Sequence, residues 1–388
     1  MAPGWTCFRA GPDAIAGFPS RADGRQQAVN RRVRIRAIAL VATAVAVIAP
    51  CGFASTAAAS PDWGVIYASW KRASDIGRMQ EGGVQSVRWP LFWNLVEPNE
   101  GNFNWRVTDQ VIGAFASRGI QVLPAVYGTP AWAGKRPGTP PLRTAHVRSA
   151  WMEFLRQLVQ RYGPGGEFWT NPTLYPLQLL GGPIVPIETW QVWNEPNLPQ
   201  YFSRPSVRRY GRLLRISHDA LEAQDPGAEI VLAGMPGLAD RPAWKFLRRL
   251  YEVPGIRRDF DAVALHPYAP SIKLLRLELR RMRAVMKAHG DGSSELWVTE
   301  LGWGSGPRGR TKLDKGARGQ ARMLRNSFEL IRRHSRQWNV PHVYWFQWRD
   351  PPDGSVECGW CRRAGLIGQG GNPKPSWQAF QRFTGALP

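Results

Sequence analysis

From Trp63 onward the sequence alternates short apolar runs with longer amphipathic stretches, eight times over. The apolar runs are Trp63–Tyr67, Val84–Arg88, Ile120–Pro124, Glu188–Trp193, Ile230–Ala233, Ala262–Leu265, Glu295–Val298 and Val343–Phe346. Most are apolar without a period of two, as expected of strands whose two faces are both covered. Helical periodicity fills the gaps: Lys71–Glu81, Val107–Arg118, Ala145–Tyr162, Val207–Gln224, Ala243–Glu252, Ile272–His289, Lys315–Arg336 and Ser376–Phe383. Gly119 and Asp225-Pro226-Gly227 are suitable stops for two of these helices. Eight strand–helix units in one chain of this length predict an α/β fold, a single-domain (β/α)8 TIM barrel. The segment from Gly163 to Pro186, rich in Gly and Pro, is expected to be a loop insertion before the fourth strand.

In such a barrel the carboxyl ends of all strands open on one face, where chemistry is placed. Asn194-Glu195-Pro196 follows the fourth apolar run, and Glu300 follows the seventh. Two carboxyl groups on one face meet the needs of glycosidic bond cleavage with retention. One protonates the departing oxygen while the other attacks the anomeric carbon from the opposite side. Tryptophan faces suit the apolar faces of sugar rings, and the chain has 19 of them.

These residues resemble the clan A glycoside hydrolases over residues 62 to 383. In that clan an acid/base glutamate follows an asparagine at the fourth strand, and the nucleophile ends the seventh. The resemblance continues in Trp93-Asn94-Leu95-Val96-Glu97-Pro98, with Gly101, Phe103, Trp105 and Asp109. Gly128-Thr129-Pro130-Ala131-Trp132 is most similar to glycoside hydrolase family 39, with family 5 next. The resemblance implies that Glu195 is the acid/base and Glu300 the nucleophile, with no metal or organic cofactor.

The neighbours then acquire expected roles. Asn194 would hydrogen-bond the sugar 2-hydroxyl, and Arg88, ending the second strand, would hold Glu300 ionised. His266 and Tyr268 close the sixth strand, and Tyr268 is a donor for the nucleophile. Trp345 and Trp348 are candidates for the platform under the sugar, although strand alternation forbids every aromatic of Tyr344–Trp348 from facing inward. Trp132, Trp93 and Trp303 either line subsites or cover the rim. Arg88 and hydroxyl donors should lower the pKa of Glu300, and its anion should raise that of Glu195. Glu97, Asp109 and Asp350 fit structural or capping roles better.

The formal charge is +22, from 51 basic and 29 acidic side chains. No nucleic-acid motif accompanies it, and residues such as Arg276, Arg280, Arg281 and Arg283 fall on expected outer helix faces, so a solvated basic surface is the simpler reading. The expected partner is a carbohydrate, and the charge leaves an anionic polysaccharide open. Residues 1–59 have the form of a leader: Arg31–Arg36 is basic, Ala37–Ala49 apolar, and Ala57-Ala58-Ala59 offers a cleavage site before Ser60. Retained, the same stretch would serve as an anchor. The expected setting is secreted or extracytoplasmic, and Cys358 and Cys361 then form a small loop disulfide rather than a metal or redox site. The alternative function is a non-catalytic extracellular glycan-binding protein on the same barrel, which would need neither acid.

Overall fold

The structure, a computed structural model, describes residues 60–68, 73–237, 242–353 and 358–387. The expected leader, residues 1–59, lies outside these residues. Eight parallel strands close a barrel in sequence order. They are β1 (Asp62–Ile66), β2 (Ser86–Phe92), β3 (Gln121–Tyr127), β4 (Thr189–Val192), β5 (Glu229–Leu232), β6 (Ala262–Leu265), β7 (Glu295–Leu301) and β8 (His342–Trp345). Around them run α1 (Ala73–Glu81), α2 (Arg106–Ala116), α3 (Ala145–Tyr162), α4 (Val207–Glu222), α5 (Ala243–Tyr251), α6 (Ile272–Ala288), α7 (Ala317–Trp338) and α8 (Pro375–Thr384). The (β/α)8 expectation holds.

Two cores result, because alternate residues of each strand face opposite ways. Ile66, Leu123, Val231, Ala262, Ala264, Trp297 and Tyr344 fill the barrel interior. The larger core, including Trp151, Trp190, Val298 and Trp345, lies between the strands and the helices. Thr144, Ser206 and Ser271 cap α3, α4 and α6 by accepting a hydrogen bond from the backbone of the first turn.

β2 and β3 extend beyond their expected ends at Arg88 and Pro124, to Phe92 and Tyr127, and hold Pro90 and Pro124 in their interiors. Pro90 pairs in register with Ala125, and Trp89 with Pro124. Arg88 is therefore the third residue of β2 and not its last. A second departure concerns Arg283, which is buried and not on the outer face of α6. Its guanidinium donates to the carbonyls of Ser294 and Trp338, which ties α6 to the segment before β7 and to the end of α7. The Gly163–Pro186 insertion carries a helical turn at Glu167–Thr170 and a 3-10 turn at Pro176–Leu180. Among the described residues, no helix is long and apolar enough to cross a membrane.

Candidate active site

Arg88 organises the upper end of the barrel. Its Nε donates to Gln191 Oε1 at 2.5 Å, one terminal nitrogen to Glu300 Oε1 at 2.6 Å, and the other to Asn194 Oδ1 at 2.8 Å. One planar fork thus joins β2, β4 and β7. Gln191 in turn donates to the Leu232 carbonyl at 2.9 Å, which fixes the amide that receives Arg88. Gln191 was not among the expected site residues, although a lone amide within the apolar run Trp190–Val192 is a visible signal.

A bulge aims Glu300. On β7 the step from Val298 to Leu301 faces the step from Val343 to Trp345 on β8, so three residues oppose two. Val298 and Leu301 both pack outward in the larger core. The additional residue lets Thr299 and Glu300 both turn to the pocket side, which simple alternation would forbid.

The loop after β4 is strained where it presents Glu195. Trp193 has φ 76° and Glu195 φ 43°, left-handed conformations that side-chain-bearing residues seldom adopt. Trp193 is held there by burial and by its indole N–H, which donates to the Tyr201 carbonyl at 2.8 Å. The Glu195 amide donates to the Gly234 carbonyl at 3.0 Å. Gly234 also lies against His266, and a Cβ at this position would collide with its ring and with Thr299.

His266 follows β6 and its Nδ1 lies 2.8 Å from Glu195 Oε1 and 3.5 Å from Glu300 Oε2. Oxygens of the two glutamates and a ring nitrogen of His266 lie within 4.8 Å of one another. A metal ion would fit that spacing, but the donor set does not suit one. Glu300 already accepts from Arg88 and from the Tyr268 hydroxyl, and a cation would sit beside a buried guanidinium.

The electrostatics separate the two acids. Burial raises the Glu195 carboxyl well above its ordinary value, and the Glu300 charge adds to that rise while Arg88 opposes it. Burial raises Glu300 as well, against the lowering influence of Arg88 and of the Tyr268 hydrogen bond. The expectation that Glu300 lies below its ordinary value is corrected: desolvation outweighs both donors. Glu195 remains the stronger proton holder. His266 is pushed well below its ordinary value by burial and by Arg88, so it is neutral. Tyr268 is pushed well above, by burial and by Glu300, and stays a donor.

The aromatic expectations divide. Trp345 points away from the barrel interior, fully buried, with its ring 6.0 Å from Trp303 and 6.2 Å from Phe328 of α7. Trp348 is buried against Trp377 of α8, with rings 5.0 Å apart. Neither offers a face to a ligand: alternation from inward-facing Tyr344 turns Trp345 outward, and Trp348, beyond the end of β8, is covered by α8. Phe346, two residues beyond Tyr344, is instead half-buried beside Tyr268, at 5.8 Å, and Trp360, at 5.6 Å. Trp93 and Trp303 are core residues. Trp132 is partly exposed on the rim, its indole N–H donating to the Glu97 carbonyl at 3.1 Å. Glu97 itself accepts from Trp93 and the Gly101 amide, at 2.6 and 2.7 Å. Asp109 accepts from Arg161 and Tyr162, and Asp350 from Lys374 and the Gly365 amide. Cys358 and Cys361 are joined by a disulfide in the segment after β8.

A closed eight-stranded barrel with two acids facing each other across its strand ends is an architecture shared with sugar-cleaving enzymes. The proteins that this chain resembles are of that kind. The family model described as beta-galactosidase, of glycoside hydrolase family 42, matches residues 66–152. A family 39 glycoside hydrolase from Bacteroides cellulosilyticus WH2 superposes with a TM-score of 0.61 at 20% identity, over 84% of this chain and 64% of that one. A family 39 β-xylosidase from Caulobacter crescentus gives 0.61 at 18% identity, over 84% and 72%. A family 5 enzyme from Streptomyces cattleya, solved with Manβ1-4GlcNAc, gives 0.59 at 17% identity, over 84% and 80%. At these identities the likeness establishes the fold, and this chain spans less than two thirds of the Bacteroides enzyme's length. No curated protein sequence matches the chain.

Proposed function

We propose that the protein is a retaining O-glycoside hydrolase that cleaves an oligosaccharide or polysaccharide by double displacement. The observation that carries this reading is the approach of Glu195 and Glu300, with oxygens within 4.8 Å and with unequal surroundings. A carboxyl separation of about 5–5.5 Å belongs to the retaining mechanism, since the inverting one needs room for a water between them.

In the first step the Glu300 carboxylate attacks the anomeric carbon. The bond to the leaving oxygen breaks as the Glu195 proton passes to that oxygen. The product is a glycosyl ester on Glu300. Its formation removes the negative charge opposite Glu195, which is now an anion with a lowered pKa. In the second step Glu195 takes a proton from water, and that water oxygen attacks the anomeric carbon. The ester bond breaks, Glu300 leaves as a carboxylate, and the sugar regains its starting configuration. Arg88 and Tyr268 hold the nucleophile from two sides, so that it has one attacking geometry. Asn194 gives its carbonyl oxygen to Arg88, which leaves its amide N–H groups to donate to the sugar 2-hydroxyl. Neutral His266 positions Glu195 without competing with it as an acid.

The Cys358–Cys361 disulfide and the leader support an extracytoplasmic setting, where such bonds persist. The experiment uses aryl glycosides and azide. Glu195→Ala should be slow and regain turnover with azide, giving a glycosyl azide of retained configuration. Glu300→Gly should be inactive and, with azide and the same aryl glycoside, give a glycosyl azide of inverted configuration. Wild-type rates in Glu300→Gln, or an inverted first-formed sugar by NMR, would remove the proposal.

A further inference from the structure

The loops that follow β3 and β4 enclose a cavity of about 680 Å³ that contains neither Glu195 nor Glu300. Its basic lining is Lys135, Arg136, Arg143, Arg204, Arg209 and Arg212, and no acidic side chain lines it. None of the six makes an ion pair among the described residues. Two of them build the walls. Arg136 donates to Ser203 Oγ at 2.8 Å and to the Pro199 carbonyl at 3.0 Å, and Arg209 donates to the Ser203 carbonyl. The Ser203 amide donates to the Gly138 carbonyl at 2.7 Å, so the two loops are fastened together around the cavity. Lys135, Arg143, Arg204 and Arg212 are exposed and engage no side-chain partner.

Gathering cations in this way opposes folding unless an anion joins them. The positive end of α4 adds to the repulsion, since its first turn holds no acid. Burial and the Arg204 charge push the Arg209 guanidinium below its ordinary value, a sign of the crowding. Beside the cations stands one aromatic face. Trp132 also lines the cavity, fixed by its hydrogen bond to the Glu97 carbonyl and by edge contact with Trp93 at 5.4 Å. A held indole plane with unpaired guanidinium groups around it fits a pyranose ring that bears a carboxylate or sulfate. The loop that carries Arg204 also carries Glu195, so the cavity shares the barrel face with the two acids.

We propose that this cavity is a subsite for an acidic sugar unit of the glycan chain, its ring on Trp132 and its anionic group on Arg143, Arg204, Arg212 and Lys135. The inference takes the glycosidase reading for the direction of the chain, but binding in the cavity is measured without it. Glu300→Gln protein is titrated by calorimetry with three probes: an oligogalacturonate, its fully methyl-esterified counterpart, and a heparin-derived oligosaccharide. The two acidic probes separate a carboxylate from a sulfate ligand. One acidic probe should bind, at least ten times more tightly than the neutral one, and more weakly as NaCl rises through roughly the range where the Debye length shortens below 10 Å. The double variant Arg204→Ser, Arg212→Ser should lose at least tenfold in that affinity at a melting temperature no lower than the parent's, and Trp132→Ala should lose a comparable amount. The proposal is overturned if neither acidic probe binds, if the neutral probe binds equally, if the double variant binds as the parent does, or if a short single-stranded DNA binds as tightly as the sugars. Hydrolysis of aryl glycosides by Glu300→Gln would instead overturn the catalytic assignment and leave the titration result standing.

Discussion

Arg88 and Glu300, on β2 and β7, meet in a buried ion pair at 2.6 Å, and the same guanidinium reaches Asn194 beyond β4. Burying such a pair costs desolvation that attraction alone seldom recovers. Its use is geometric: the residue next to the acid and the nucleophile itself are set by one rigid group.

Replacing Arg88 by Met therefore has a signed consequence. Glu300 must be ionised to attack, so activity rises with pH through its pKa and falls as Glu195 loses its proton. Without the guanidinium, burial acts on Glu300 with less opposition, and its pKa rises further. The acid limb of the kcat/KM profile should move to higher pH, as expected when an adjacent opposite charge is removed. A profile displaced only in height would separate Arg88 from the nucleophile's ionisation.

The two aromatic residues at the end of β8 should behave differently. Phe346→Ala removes the half-buried ring beside Tyr268, and should lower kcat/KM by about two- to tenfold with little loss of stability, since a lost stacking face is worth roughly 0.5–1.5 kcal/mol beyond its area. Trp345→Ala empties a fully buried position, and should cost about 3–5 kcal/mol of stability. Denaturant melts alongside aryl glycoside kinetics distinguish these outcomes. The reverse pattern would restore Trp345 as the platform.

Gly234→Ala tests the support of the acid. The new methyl group meets His266, just after β6, and Thr299 on β7. Overpacking of this kind costs about 1–3 kcal/mol. The turnover number should fall more than tenfold, because His266 is displaced from Glu195. Unchanged turnover in a folded variant would show that His266 does not position the acid.

Glu278 on α6 is buried without a hydrogen-bond partner for either oxygen among the described residues, and burial pushes its pKa up to about 8. A carboxyl group raised in this way is protonated in the folded state and ionised in the unfolded state between their two pKa values. Its contribution to stability is therefore complete at acidic pH and is lost as pH rises from the ordinary carboxyl value of 4.5 to about 8. Glu278→Gln should leave the melting temperature near pH 4.5 almost unchanged. Above pH 8 it should stabilise the protein by on the order of a few kcal/mol. Equal effects at both pH values would show that Glu278 does not titrate in this way.

Much of the barrel was legible because its signal is local. Short apolar runs between amphipathic helices declare a parallel sheet covered on both faces, and eight of them close it. The strand ends were less legible: the expected runs stop at Arg88 and Pro124, yet β2 and β3 continue in register to Phe92 and Tyr127. Arg283 read as a surface cation, since helical periodicity gives its direction only to within a side chain's reach, and its long stem turns inward to four carbonyl groups. The site divides in the same way. Glu195, Glu300, Asn194, Arg88, His266 and Tyr268 were marked by their places at strand ends, and the fold brings all six together. Phe346, Gln191 and Gly234 were missed, and Trp345 and Trp348 were misplaced.

By itself, then, the order of residues determined the barrel, the strand ends that carry the acids, and the chemistry that those residue types allow, because periodicity and strand position are properties of neighbouring residues. Only the tertiary structure decided which way each side chain points and which acid holds its proton. A bulge in β7 turns Glu300 inward, and burial together with the facing charges sets both carboxyl groups. Those quantities depend on distances between segments far apart in the chain, which no local pattern records.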